Sequence, residues 1–134
     1  MMNELTIGPH QVRVDRDAVL TRWIGTPEYE DVRTIHLQFE QVFAKYGRLF
    51  VINDMRQSGI PSTQTRKWIA DWMLHYQVNV VVLNFGASFA IRALQSMIFR
   101  ALALIGKKGP IEVIQCTSEA EAIAWIEARR RQLV

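Results

Sequence analysis

Val78-Asn79-Val80-Val81-Val82-Leu83, followed by Asn84-Phe85-Gly86-Ala87-Ser88 and the apolar stretch from Ala87 to Ile105, sets the architecture. An unbroken apolar run of strand length marks a strand covered on both faces, because a strand with one wet face would alternate. Gly86 breaks the run, and Ser88 supplies the side-chain oxygen that caps a helix start. The unit is therefore strand, turn, helix. Helix 3, over 87–105, is apolar almost all round, with Phe89, Ile91, Ala93, Leu94, Met97, Ile98, Phe99, Leu102 and Ile105 against a narrow polar stripe of Arg92, Ser96 and Arg100. That covers more than the usual core-facing arc.

The same signature recurs outward from this unit. Leu49 to Ile52 is a second continuous apolar run, and Ile111 to Cys116 a weaker third. Ahead of the second run, Thr26-Pro27-Glu28 reads as a helix start, and Val32, Ile35, Phe39, Val42, Phe43 and Tyr46 recur at helical spacing until Gly47 offers a left-handed stop. The first helix is expected over about 27–46. Ser62 to Tyr76 is expected as the second, with Trp68, Ile69, Trp72, Met73 and Tyr76 on one face. Ser118 with Glu121 three residues later is a capping-box signature for the fourth, which should turn Ile123 and Ile126 inward. His10 to Val14 and Ala18 to Ile24, split by Asp15-Arg16-Asp17, read as a hairpin with a three-residue loop. The order β-β-α-β-α-β-α-β-α implies an α/β fold with a mostly parallel sheet of about five strands, right-handed crossovers, an antiparallel N-terminal hairpin strand and four helices.

The 134 residues suit one domain over 1–134, at roughly 150 residues per domain. Hydrophobic residues make up 49% and charged residues 22%, which excludes a disordered or disulfide-rich chain. The net charge of +3 is spread thinly, so nucleic acid is not an expected partner. Arg129-Arg130-Arg131 reads as a helix end complementing the macrodipole, and Arg66-Lys67 and Lys107-Lys108 are isolated pairs. Cys116 is alone and no signal-peptide pattern opens the chain, so a cytoplasmic location is expected. Arg92 and Arg100 interrupt the long apolar stretch, which argues for a buried or partner-facing helix over a membrane span.

Enzymatic constellations are not expected. Gly86-Ala87-Ser88-Phe89-Ala90 follows a strand as a nucleophile elbow would, but that chemistry needs an acid and then a His after the Ser, and the last His is His75. His10, His36 and His75 match no metal-ligand spacing, and His36 with Glu40 reads as a solvated pair one helical turn apart. No phosphate-cradling Gly motif follows a strand. No cofactor or metal is expected.

From about Gln11 onward the chain resembles a STAS-type domain, the fold of sulfate-transporter and anti-anti-sigma-factor proteins, including its SpoIIAA-like and Sec14-like relatives. The matching stretches are Tyr46-Gly47-Arg48 into Leu49-Phe50-Val51-Ile52-Asn53-Asp54, Ser58-Gly59-Ile60-Pro61-Ser62, Val80-Val81-Val82-Leu83 with Gly86-Ala87-Ser88, and Glu119-Ala120-Glu121-Ala122 with Ile123-Ala124-Trp125-Ile126. The resemblance implies a small βα superhelix that acts by protein binding, often in bacterial signalling, with a phosphoacceptor at the start of the second helix. Thr63 falls on the acceptor position, next to Ser62; Ser62 stands where that pattern carries Asp, and Thr65 where it carries Gly. The expected function is a non-enzymatic regulatory or adaptor domain that binds a protein partner, including a second copy as a homodimer, through helices 2 and 3. Trp68, Trp72, Phe89, Met97 and Phe99 are the candidate partner-facing or lipid-facing residues. The Sec14-like relatives imply an alternative, a lipid, a small apolar ligand or a membrane surface.

Overall fold

A computed structural model describes residues 3–76, 79–105 and 111–133. Its elements run β1 (Asn3–Ile7), β2 (His10–Asp15), β3 (Ala18–Gly25), α1 (Tyr29–Tyr46), β4 (Leu49–Ser58), α2 (Thr63–His75), β5 (Val80–Phe85), α3 (Phe89–Ile105), β6 (Glu112–Gln115) and α4 (Glu119–Gln132). The six strands form one sheet in sequential order. β1–β2 and β2–β3 pair antiparallel, and the three later pairings are parallel. The mixed α/β architecture is as expected, with one strand more: β1 was not anticipated. Val78 and the Lys107-Lys108 pair lie outside the described residues.

Because each strand lies beside its predecessor, the three crossover helices stack on one face of the sheet. There Val12, Val19, Trp23, Val51 and Val82 pack with Val32, Ile35, Phe39 and Val42 of α1 and Trp72 of α2. The opposite side chains of the same strands, Leu20, Phe50, Ile52, Val81, Leu83 and Phe85, meet Ala122 and Ile126 of α4. The period of two along each strand separates the two cores. β5 is buried at all six positions, which is why it reads as an apolar run interrupted only by Asn84.

Five local details correct the sequence reading. The first hairpin turns on two residues, since Asp15 already pairs with Ala18, and Arg16 takes φ 55 to make the turn. The first helix starts at Tyr29, with Glu28 rather than Thr26 at the cap and no side-chain cap bond; its far end is as expected, Gly47 taking φ 72 and donating its N–H to Phe43 O. In α4, Ala122 and Ile126 are the buried pair, while Ile123 is 43% exposed. Ser118 Oγ accepts from Glu121 N as a cap, but the Glu121 carboxylate turns to Thr117, accepting its N–H at 3.0 Å. His36 is not solvated: it is buried against Phe39 and Trp72, and Glu40 instead accepts from Tyr76 Oη at 3.0 Å.

Candidate functional site

The C-terminal ends of β3, β4 and β5 and the starts of α2 and α3 meet on the helical face of the sheet, which is where open α/β sheets place ligands. Opposite Trp23 the register slips: Arg22 pairs with Asp54 but Ile24 with Gln57, so Met55 and Arg56 both stand against one residue. Such a bulge re-aims side chains. Asp54 is thereby enclosed, accepting from Arg22 Nε at 3.2 Å and Arg56 Nη2 at 2.7 Å. Burial pushes its carboxyl up, but the hydrogen bonds from Arg56 and Arg22 outweigh that and hold it below the usual carboxylate range. Gly86 is required beside it, because at φ 77 a Cβ there would stand 2.3 Å from Arg56 Cγ.

At the start of α2, Ser62 is the N-cap, its Oγ accepting from Thr65 N at 3.2 Å and lying 3.0 Å from Thr65 Oγ1. Thr63 is exposed, and its hydroxyl accepts from Arg66 Nη2 at 3.0 Å while Arg66 Nη1 donates to Pro61 O. The two candidate acceptors thus differ in engagement: Ser62 is bound into the helix end, and Thr63 stands on the surface beside a guanidinium.

Behind this helix end lies a cavity of about 110 Å³, walled by the sheet, α1, α2 and α3. Most of its wall is apolar, including Phe39, Val51, Ile69, Ile91, Leu94 and Ile98. Polar groups enter at fixed points. Trp23 Nε1 donates to Asn53 Oδ1 at 3.0 Å, and Asn53 Nδ2 donates to Asn84 Oδ1 at 2.8 Å. His36 Nδ1 accepts from Trp68 Nε1 at 3.1 Å, so the ring proton sits on Nε2. Burial pushes the His36 pKa down to about 3, which keeps the imidazole neutral. Asn84 Nδ2, Trp72 Nε1 and Gln95 Oε1 are buried without a hydrogen-bond partner among the described residues.

The candidate partner-facing residues therefore separate into two groups. Phe89 is 80% and Met97 67% exposed, and Leu104 at 89% continues their line along α3. Trp72 is buried and lines the cavity, while half-buried Phe99 lines both the cavity and an open pocket beside Arg92, Ser96 and Arg100. Trp68 is half-buried, held by His36 and by the edge of Tyr29. Ser88 Oγ accepts from Ile91 N at 3.3 Å, as a helix cap. Among the described residues no cluster of His, Cys, Asp and Glu could hold a metal, and no helix is long and apolar enough to cross a membrane. The sequence reading missed Asn53, Asn84, Gln95 and the burial of His36; an Asn inside each of two otherwise apolar strands was the available signal.

No family model matches the chain, and no curated protein matches it. Solved structures do. The anti-sigma factor antagonist SpoIIAA in its unphosphorylated form is 14% identical, with a TM-score of 0.61 over 95% of this chain and 98% of that one. An uncharacterised protein of the DUF3478 family from Shewanella loihica, with a SpoIIAA-like fold, is 14% identical, with a TM-score of 0.58 over 93% and 91%. The Bacillus cell fate determinant SpoIIAA in its phosphorylated form is 15% identical, with a TM-score of 0.56 over 94% and 99%. The chain has the SpoIIAA-like fold, the fold of STAS-type domains.

Proposed function

We propose that this chain is a non-enzymatic regulatory domain that docks a protein partner, a second copy of itself included, through the outer face of α3 beside the start of α2, and that Thr63 is its switch. The observation that carries this is the exposed line of Phe89, Ala93, Met97, Ala101 and Leu104 along α3, flanked by Arg92, Ser96 and Arg100. A contiguous apolar stripe on one helix is the form of a partner-facing surface. The similar solved structures support the same direction, one being an antagonist of an anti-sigma factor and another a phosphorylated form. A phosphate on Thr63 would meet the free N–H groups at the start of α2 and the Arg66 guanidinium, and its charge would change what can pack beside α3.

Light scattering with size exclusion over a concentration series tests the docking face. Met97→Asp and Phe89→Asp should abolish self-association while the circular dichroism stays native, and Thr63→Glu should weaken it. A wild-type chain that stays monomeric at high concentration, and that binds anionic lipid vesicles through the same residues, would replace the protein partner with a membrane surface.

A further inference from the structure

We propose that the cavity between the sheet, α2 and α3 binds a small carboxylic acid with an apolar body, its carboxylate received by the Trp72 Nε1–H and Asn84 Nδ2–H groups. The orientation of Asn84 is forced. Trp23 can only donate, so Asn53 must turn its oxygen to Trp23 and its nitrogen to Asn84, and Asn84 must turn its oxygen to Asn53. An amide flip at either residue would oppose two donors. The chain of hydrogen bonds therefore ends on an N–H of Asn84, a residue 1% exposed, that has no acceptor among the described residues. Trp72, 7% exposed, ends in the same way on an indole N–H, which cannot be anything but a donor. A buried unsatisfied donor is destabilising, and two in the lining of one largely apolar cavity mark a place where an acceptor belongs.

The character of that acceptor follows from the rest of the lining. His36 has its acceptor nitrogen occupied by Trp68, which leaves it too as a donor. Gln95 donates its Nε2 to Met55 Sδ, a weak acceptor, which leaves Oε1 as the one buried unpaired acceptor among the described lining residues. A water molecule brings two hydrogens that need acceptors, against that single unpaired oxygen. A carboxylate only accepts. Among the described residues lining the cavity none is acidic, and the one charged side chain is Arg66. The 110 Å³ volume is below the ~150 Å³ apolar cavity that holds benzene, so the body is a short alkyl chain and not a ring.

Propanoate and butanoate are the probes, with butan-1-ol and butylamine as controls, titrated by two-dimensional amide NMR into the Met97→Asp variant so that self-association plays no part in the readout. Saturable shifts with propanoate or butanoate at Asn53, Asn84, Leu94 and Ile98, weaker binding of the alcohol and none of the amine are expected. Trp72→Phe should weaken the acids about tenfold, the loss of one hydrogen bond to a charged group, and leave butan-1-ol within twofold. Arg66→Met, a half-buried side chain, provides the second variant should Trp72→Phe unfold, and should weaken the acids alone. No saturable shift with either acid overturns the proposal, as does butylamine binding as well as butanoate or an acid affinity indifferent to the folded variant.

Discussion

His36 shows how a residue that reads as surface becomes core. Its neighbours on α1 are an ordinary amphipathic pattern, and the groups that bury it, Trp68 and Trp72, lie on another helix more than thirty residues away. Nothing local in the sequence reports that contact. Its consequence is a pH dependence with a definite sign. Burial lowers the folded-state pKa to about 3 from an ordinary value of 6.5, so the unfolded chain binds the extra proton between those limits. Stability from this group is fully present above about pH 6.5 and is lost as the pH falls, by up to about 1.4 kcal/mol per pH unit. Burial lowers the His10 pKa too, giving the same sign. Urea unfolding from pH 8 to pH 4.5 should show stability declining below 6.5, with a shallower decline in His36→Leu; parallel curves would contradict the assignment. Asp17 behaves oppositely in charge. Burial pushes its carboxyl up, but hydrogen bonds from Arg130 and Arg48 outweigh that and hold it below the usual range, so its stabilisation is present above about pH 4 and fades as the folded-state pKa is crossed on acidification. It ties the first hairpin to the end of α4 through Arg130 and to the start of β4 through Arg48 Nε at 2.5 Å. Asp17→Ala leaves the nearly buried Arg130 with Glu127 as its remaining carboxylate, and should cost about 2 kcal/mol in denaturant unfolding, more than an exposed pair is worth.

At the scale of elements, the sequence was legible where a local rule and the tertiary fold agree. Ser118 was readable as a cap and Ser62 as the start of a helix, and both side chains accept a backbone N–H of the first turn. The buried central strands were readable from their apolar runs. β1 was not, because Asn3-Glu4-Leu5-Thr6-Ile7 is an edge strand held by pairing with β2, and Leu5 remains exposed at 41%. The face of α4 was misjudged because three apolar residues, Ala122, Ile123 and Ile126, lie close to one another, and the small Ala122 fits the sheet better than Ile123 does. The candidate cavity was illegible for a different reason: Asn53, Asn84, Trp72 and Gln95 come from four elements, and no spacing joins them. Ser62→Ala offers a test on the element scale. It removes an acceptor for Thr65 N, and should lower stability by about 1 kcal/mol while leaving self-association unchanged. A change in self-association with stability unaltered would move the switch from Thr63 to Ser62.

The molecule as a whole is one sheet shared by two cores of unequal cover. Three helices lie over one face and α4 alone over the other, where Leu20, Phe50, Ile52, Leu83 and Phe85 depend on Ala122, Ile126 and the edge of Trp125, which meets the Phe50 ring at 6.4 Å. Each strand from β3 to β5 sends alternate side chains into both cores, so neither face can loosen without disturbing the backbone that positions the other. That connection predicts all-or-none unfolding even though α4 is the last element and covers its face without a helical neighbour. Far-UV circular dichroism, which follows the helices on both faces, and tryptophan fluorescence in a Trp125→Phe background, where Trp23, Trp68 and Trp72 report from the other side, should give one midpoint in urea. Ile126→Ala opens space against the sheet and should cost about 2–4 kcal/mol, shifting both signals together. Were α4 an independent flap, the mutation would lower only part of the dichroism signal and leave the fluorescence midpoint in place; the Arg130–Asp17 pair, which joins the far end of α4 to the first hairpin, is the physical reason to expect otherwise.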